Sequence, residues 1–117
     1  MSPTSRIERE PIPPGTLDML ILKSLAVARP SELHGFEIAN AIQRGSRDVL
    51  QVEEGSLYPA LQRMLVKGWV VAAWKISANN RRARFYTLTA AGRKQLGIEE
   101  SRFAKMFGVI MRVMKTT

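Results

Sequence analysis

The sequence has no cysteine and only one histidine among its 117 residues. It therefore has neither a disulfide framework nor a thiolate metal site, and the single histidine, His34, has no obvious metal-binding partners. Long apolar runs are also missing: the longest, Trp69–Trp74, has six residues, whereas a membrane-spanning helix needs about 18. No apolar stretch follows the first residues, so we expect no signal peptide, no membrane association and a cytoplasmic protein.

Acidic residues are scarce in the second half of the chain. Residues 1–50 contain six basic and six acidic side chains, whereas residues 51–117 contain twelve basic and four acidic ones. The formal net charge of +8 therefore lies entirely in the second half. A basic half beside a neutral half is typical of a surface that faces a polyanion such as nucleic acid, although the same charge would also serve solubility.

Hydrophobic periodicity predicts three helices, a hairpin and a long last helix. Apolar residues recur at helical spacing in four segments, whereas two short segments rich in β-formers flank a polar, turn-prone stretch. The predicted helices are 17–28, 34–44, 54–67 and 90–114, the strands are 69–74 and 84–88, and the turn is 77–82. This order predicts a mainly α protein with a small β-hairpin (α+β), namely a winged helix-turn-helix followed by a C-terminal dimerisation helix.

The same pattern divides the chain into three parts. Residues 1–15 combine proline with alternating charge and cannot bury enough apolar surface to offset the entropy of ordering, so we expect a flexible N-terminal arm. Residues 16–88 form the predicted DNA-binding domain. Residues 89–117 form the predicted dimerisation helix.

The third predicted helix has the pattern of a recognition helix. Its apolar residues follow a single buried face, and the opposite face carries polar groups that can contact base edges or phosphates. The candidate DNA-binding residues on it are Ser56, Tyr58, Gln62, Arg63 and Lys67. The alternative is an ordinary amphipathic surface helix. Glu53 and Glu54 would lie near the phosphates, but at a helix start they also complement the helix dipole.

The hairpin supplies a second basic cluster. Lys75, Arg81, Arg82 and Arg84 lie within ten residues that contain no acid. A basic loop beside a groove-binding helix suits phosphate contact or entry into the minor groove, whereas the alternative is a solvated run of charge. The hairpin also contains two tryptophans, Trp69 and Trp74. We favour the interpretation that they cover the core over the alternative that they line a pocket for a planar ligand.

The last helix carries the pattern of a coiled-coil seam. Its apolar residues recur mainly every seven positions, and the candidate dimer contacts are Leu96, Phe103, Phe107, Ile110 and Met114.

The sequence gives no support for catalysis, because His34 stands alone near a helix start and cannot be assembled with Ser and Asp into a nucleophilic relay. We interpret His34 as a helix-cap residue and expect no enzyme activity, no cofactor and no metal.

Three motifs, in this order, resemble the PadR-like (phenolic-acid-decarboxylase regulator) transcriptional regulators over roughly residues 15–95. They are Leu33-His34-Gly35-Phe36-Glu37-Ile38, Glu54-Gly55-Ser56-Leu57-Tyr58-Pro59-Ala60-Leu61 and Arg84-Phe85-Tyr86-Thr87-Leu88-Thr89-Ala90-Ala91-Gly92. The chain is similar to the short branch of this family, which has one helix after the wing. Phe36 and Phe85 stand where tyrosines are usual, and Ala90 replaces a common proline.

The resemblance implies a homodimer in which the last helix packs against the partner and its first helix, so Leu17 and Leu20 join the predicted interface. It also implies an inverted-repeat operator, repression and release by a small effector. By motif position, the resemblance gives Ser56 and Tyr58 the role of contacting DNA. It gives Arg81 and Arg82 the role of the wing, which is the hairpin beside the recognition helix. Some relatives bind planar drugs against a tryptophan in the last helix, which this chain lacks.

Two other functions remain open from the sequence. A winged helix can act as a protein-interaction module without binding DNA, in which case the charge merely aids solubility. The basic surface could also bind RNA, although the sequence lacks the exposed aromatic platforms common in proteins that bind single strands.

Overall fold

The computed structural model describes residues 9–116, which form four helices and five strands. The fold class is the predicted one, mixed α and β with a hairpin and a long C-terminal helix. The helices are α1 (Leu17–Val27), α2 (Gly35–Gly45), α3 (Glu54–Val66) and α4 (Ala90–Met114). The strands are β1 (Glu10–Pro11), β2 (Leu33–His34), β3 (Leu50–Gln51), β4 (Val70–Ile76) and β5 (Arg82–Leu88).

The core lies where the first three helices meet the base of the hairpin. Each helix contributes one apolar face, and α3 buries residues at the i, i+3, i+4, i+7 spacing that its sequence predicts. The buried apolar residues are Ile21, Leu22, Leu25, Ile38, Ile42, Leu57, Ala60, Leu61, Met64, Val70, Tyr86 and Leu96. Burial of this cluster fixes the orientation of α3, so that its opposite face lies in solvent.

The hairpin is longer than its sequence pattern predicts. The antiparallel ladder of β4 and β5 runs from the pair Val70–Leu88 to the pair Ile76–Arg82. Backbone pairing continues past the apolar residues because an exposed ladder needs only peptide groups, which polar side chains do not disturb. The turn is correspondingly short, and Asn80 adopts a positive φ of 60° within it.

The segment between α1 and α2 joins the hairpin as a third strand. Leu33 pairs with Tyr86 and His34 with Phe85, which gives the strand order β2-β5-β4. His34 also caps α2, as its position near a helix start predicts. Its Nδ1 accepts a hydrogen bond from the Glu37 amide at 3.3 Å, and the Glu37 carboxylate accepts one from the His34 amide at 3.1 Å.

The described part of the predicted arm is attached to the domain. Residues 1–8 of the predicted arm lie outside the described residues, but β1 pairs in parallel with β3, and the Glu10 amide donates to the Val49 carbonyl at 2.7 Å. Ile12 packs against the core. The expectation of a flexible arm needs correction over residues 9–12, because a two-residue pairing and one apolar contact are too short to leave a periodic signal.

The start of α4 is fixed to the hairpin. Thr89 caps the helix, and its hydroxyl accepts a hydrogen bond from the Gly92 amide at 3.0 Å. One candidate dimer contact needs correction here: Leu96 is only 6% exposed and belongs to the core of the protomer, so it offers almost no surface to a second copy. From Glu100 onward every described residue of α4 is exposed.

Candidate nucleic-acid interface

An open groove of about 480 Å³ separates the starts of α2 and α3 from the inner face of the hairpin. Its lining includes Tyr58 of α3 and three arginines of the hairpin, but no carboxylate side chain. The lining residues are His34, Gly35, Phe36, Tyr58, Trp74, Ser77, Asn79, Arg81, Arg82, Ala83, Arg84 and Tyr86. The groove is therefore cationic and aromatic, which is the combination that suits a nucleic-acid backbone and its bases.

Tyr58 forms the α3 side of the groove. Its side chain lies directly over the backbone of Gly35, and the residue is 47% exposed. Partial burial raises the pKa of the Tyr58 phenol, and the neighbouring Glu54 and Tyr86 raise it further. The hydroxyl is therefore neutral near pH 7 and can both donate and accept a hydrogen bond.

Two of the three arginines of the wing, which is the hairpin of β4 and β5, lie over aromatic rings. The guanidinium carbon of Arg82 lies 4.9 Å from the ring centroid of Trp74, and that of Arg84 lies 6.0 Å from the centroid of Tyr86. Within residues 9–116, Arg81, Arg82 and Arg84 form no ion pair with a carboxylate. Their charges are thus available to an external anion.

Two other candidate cations have partners inside the protomer. Arg63 pairs with Asp18 of α1 at 3.0 Å, and Lys75 contacts both carboxylate oxygens of Glu32 at 2.7 and 2.8 Å. These two side chains tie α3 to α1 and the hairpin to the segment before β2. To reach a phosphate, each would first have to leave its acid.

The remaining α3 candidates lie outside the groove lining. Ser56 and Gln62 are exposed on the same helix. Lys67 places its Nζ 4.7 Å from the ring centroid of Trp69. The structure therefore brings Tyr58 together with the wing arginines, whereas the other polar residues extend along the exposed face of α3.

The two tryptophans differ in burial. Trp69 packs against the core, as expected. Trp74 is 57% exposed and lines the groove, so the expectation that it covers the core is wrong. The reason is its position in β4: the buried side of that strand ends with Ala72, and the next residue on the same face extends beyond the helices.

Sequence reasoning missed the α2 side of the groove. Gly35 and Phe36 line it from the start of α2, far along the chain from Tyr58 and from the wing. Their presence follows from the packing of α2 against α3, which no local pattern encodes. The exposure of Trp74 had a signal, because the alternation in β4 places it on the same face as buried Val70 but four cross-strand pairs farther from the core.

A second exposed surface lies on the C-terminal half of α4. Phe103, Phe107, Ile110 and Met114 are 45, 55, 50 and 70% exposed, and the two phenylalanine rings stack at 6.1 Å. Leu17 and Leu20 of α1 are half-buried and pack against the core. So many large apolar side chains along one helix exceed the scattered exposure that is usual for a monomer surface.

The described residues provide no cluster of three or more side chains able to bind a metal ion. Over the same residues, α4 is the longest helix, and neither it nor any other is apolar enough over sufficient length to cross a membrane.

Solved structures of other proteins share this fold. A transcriptional regulator from Clostridium thermocellum aligns with a TM-score of 0.76 and 23% identity, covering 86% of this chain and 95% of that one. A PadR family regulator from Clostridium difficile R20291 is 27% identical, with a TM-score of 0.68 and coverage of 86% and 99%. Bacillus subtilis PadR in complex with operator DNA aligns with a TM-score of 0.59 at 24% identity, over 70% of this chain and 46% of that one.

Comparison with curated protein sequences gives no match. The family model of the PadR-like transcriptional regulators, in contrast, matches residues 24–98, which include α2, α3, the hairpin and the start of α4. That match covers more than half of the sequence and contains every residue of the groove. The chain belongs to the PadR-like family of transcriptional regulators.

Proposed function

We propose that this protein binds double-stranded DNA in a sequence-specific manner and represses transcription. The observation that carries the proposal is the groove itself: an exposed tyrosine of α3 faces three arginines that form no ion pair within residues 9–116, and no carboxylate lies among the lining residues. A duplex supplies phosphates for the arginines and base edges for the helix at the spacing that a helix beside a wing can span. The proposal includes a cytoplasmic location.

The two sides of the groove have different roles in this proposal. The start of α3 enters the major groove, where Tyr58 and Ser56 contact base edges or the adjacent backbone, and Gln62 follows one turn later. The wing arginines Arg81, Arg82 and Arg84 bind phosphates or the minor groove. Lys67 contributes positive charge at the end of α3.

Arg63 and Lys75 have a lesser part, because each must exchange a carboxylate partner for a phosphate. An exposed ion pair contributes only about 0–1 kcal/mol, so the exchange is possible at small cost. Its net gain in affinity is correspondingly small, and we assign the main electrostatic contribution to Arg81, Arg82 and Arg84.

The protein acts as a homodimer in this proposal. The exposed residues Phe103, Phe107, Ile110 and Met114 of α4 pack against the second copy, with Leu17 and Leu20 of its first helix beside them. A two-fold axis then places two α3 helices in successive major grooves, roughly 34 Å apart, and the operator is an inverted repeat. Bacillus subtilis PadR was solved in complex with operator DNA, which supports the proposed binding to operator DNA. A small-molecule effector would release the complex.

A mobility-shift titration with the DNA upstream of the protein's own gene tests the proposal. We expect a shift at micromolar or lower protein concentration, which weakens steeply as salt increases. A scrambled duplex and a structured RNA of equal length are the controls. Preference for the RNA would indicate an RNA-binding protein, and absence of binding to all three near physiological salt would favour a protein-interaction module.

A further inference from the structure

Trp74 is an exposed aromatic side chain at a position where the fold does not need one. On the same face of β4, Val70 is 1% exposed and Ala72 is half-buried, whereas Trp74 is 57% exposed. An exposed indole gains little from the hydrophobic effect within the protomer. Its neighbours are the other groove residues, so its contribution should be sought in what the groove binds.

The indole has one specific neighbour in the wing. Arg82 stacks over it at 4.9 Å, and the cross-strand register explains why. Trp74 pairs with Arg84 and Ile76 pairs with Arg82, so Trp74 and Arg82 are diagonal neighbours on one face of the hairpin. Arg82 would otherwise sample many rotamers, and contact with a rigid ring reduces the entropy lost when its guanidinium binds an anion.

We propose that Trp74 is a DNA-binding residue of the wing that acts with Arg82 as one unit. The inference rests on the proposed function. The indole holds the guanidinium by its flat face, which leaves the five N–H donors at its edge free for phosphate oxygens. The part of the indole that Arg82 does not cover contacts the sugars of the same strand.

A double-mutant cycle tests this coupling in the full-length protein, with the Kd for the operator duplex as the measurement. Trp74→Leu removes the ring, and Arg82→Gln removes the charge. We expect Trp74→Leu to weaken binding about three- to tenfold. The double variant should bind more tightly than the product of the two single losses predicts, since both changes disable the same unit. Losses that multiply would overturn the proposal.

Arg81 provides the matched control. It lines the same groove but is not stacked on Trp74 in the described structure. The losses from Arg81→Gln and Trp74→Leu should therefore multiply in the double variant. If Arg81 showed the same non-additivity as Arg82, Trp74 would act on the wing as a whole and the assigned pair would be wrong.

The salt dependence supplies a readout that a purely structural role would not change. Trp74→Leu alters no charge, but it frees Arg82 from its position at the phosphate. We therefore expect the slope of log Kd against log salt to decrease by about one per protomer. Trp74→Phe keeps a ring beneath the guanidinium and should retain the slope of the natural protein. A slope that stays the same in Trp74→Leu would overturn the proposal.

Fluorescence tests the contact without removing Trp74. In a Trp69→Phe variant, all tryptophan emission comes from Trp74. Added operator duplex should quench that emission and shift it to the blue, and unchanged emission at saturating duplex would overturn the contact. If the natural protein binds no duplex, the proposed function itself fails; if it binds and the cycle with Arg82 is additive, only the inference about Trp74 fails.

Discussion

Gly35 and Tyr58 are in direct contact, although 23 positions separate them in the sequence. A Cβ at position 35 would lie 2.6 Å from the Tyr58 hydroxyl oxygen and 2.9 Å from two ring carbons. Only glycine therefore lets the tyrosine lie on the backbone at the start of α2. This contact sets the direction of the one α3 side chain that faces the wing across the groove.

Gly35→Ala should displace Tyr58 and weaken operator binding. The obstacle would be the far end of a flexible side chain, so the ring can rotate away without disturbing the backbone. Alanine also loses less conformational entropy than glycine when this part of the chain folds. We therefore expect a melting temperature that is unchanged or higher, together with a loss of affinity similar to that of Tyr58→Ala, measured by anisotropy with a labelled duplex.

The Tyr58→Ala background is the control for this prediction. With the ring absent, Gly35→Ala should have no further effect on affinity. A further loss in that background would mean that Gly35 serves DNA binding in another way, for example by letting its own backbone approach the duplex.

Removing the wing charges should weaken binding to every duplex sequence. In a variant with Arg81→Ala and Arg82→Ala, we expect the slope of log Kd against log salt to decrease by about two per protomer, because each arginine replaces a counterion of the phosphates. Lys94→Ala with Lys105→Ala removes the same charge from exposed positions of α4 outside the groove. That control should leave the slope nearly unchanged, and an equal decrease in both variants would argue against the wing as the phosphate contact.

The helices and the hairpin could be predicted from sequence because each carries a local signal. The apolar face of α3 repeats over three turns, and the cap residues His34 and Thr89 stand at the starts of α2 and α4. Burial in one core follows directly from such periodicity. The strands β1, β2 and β3 escaped prediction, since two residues cannot establish a period.

The candidate site could be predicted in part, because some of its residues also carry a local signal in the sequence. The clustering of Arg81, Arg82 and Arg84 is visible in the sequence, and so is the polar face of α3. The ion pairs that engage Arg63 and Lys75 join residues more than 40 positions apart, and tertiary packing alone brings them together. The seam on α4 led to Leu96 as a dimer contact, because sequence spacing does not distinguish burial within a protomer from burial between two.

Phe107→Glu should convert the proposed dimer into monomers. The ring is 55% exposed in the protomer, so a carboxylate there does not disturb the protomer core. In a dimer interface the same carboxylate would be desolvated without a partner, which costs several kcal/mol. Light scattering coupled to size-exclusion chromatography measures the mass, which should fall from about 26 kDa to the 13.1 kDa of one chain.

Lys105→Glu is the control for the interface. It introduces the same carboxylate two residues earlier, roughly on the opposite side of the helix, because each residue advances an α-helix by about 100°. That variant should remain dimeric. Dimers in both variants, with native circular dichroism, would show that this stretch of α4 is not the contact.

Gly92→Ala should destabilise the junction between the hairpin and α4. A Cβ at this position would collide with the backbone carbonyl oxygen of Trp69 and lie 2.6 Å from a side-chain carbon of Leu88. The Trp69 carbonyl cannot simply move away, because it accepts a hydrogen bond from the Thr89 amide at 3.0 Å. Overpacking of this kind costs about 1–3 kcal/mol, which outweighs the gain in helix propensity.

Gly97→Ala makes the same chemical change in the same helix without an obstacle, since apart from the neighbouring helix backbone no described atom lies within 4 Å of the added carbon. It should stabilise the protein by about 1 kcal/mol. Urea denaturation of both variants at one protein concentration measures the difference, which should have opposite signs at the two positions. Equal stabilisation by both would mean that α4 does not begin against the Trp69 carbonyl. The position of the long helix relative to the wing would then differ from the one described.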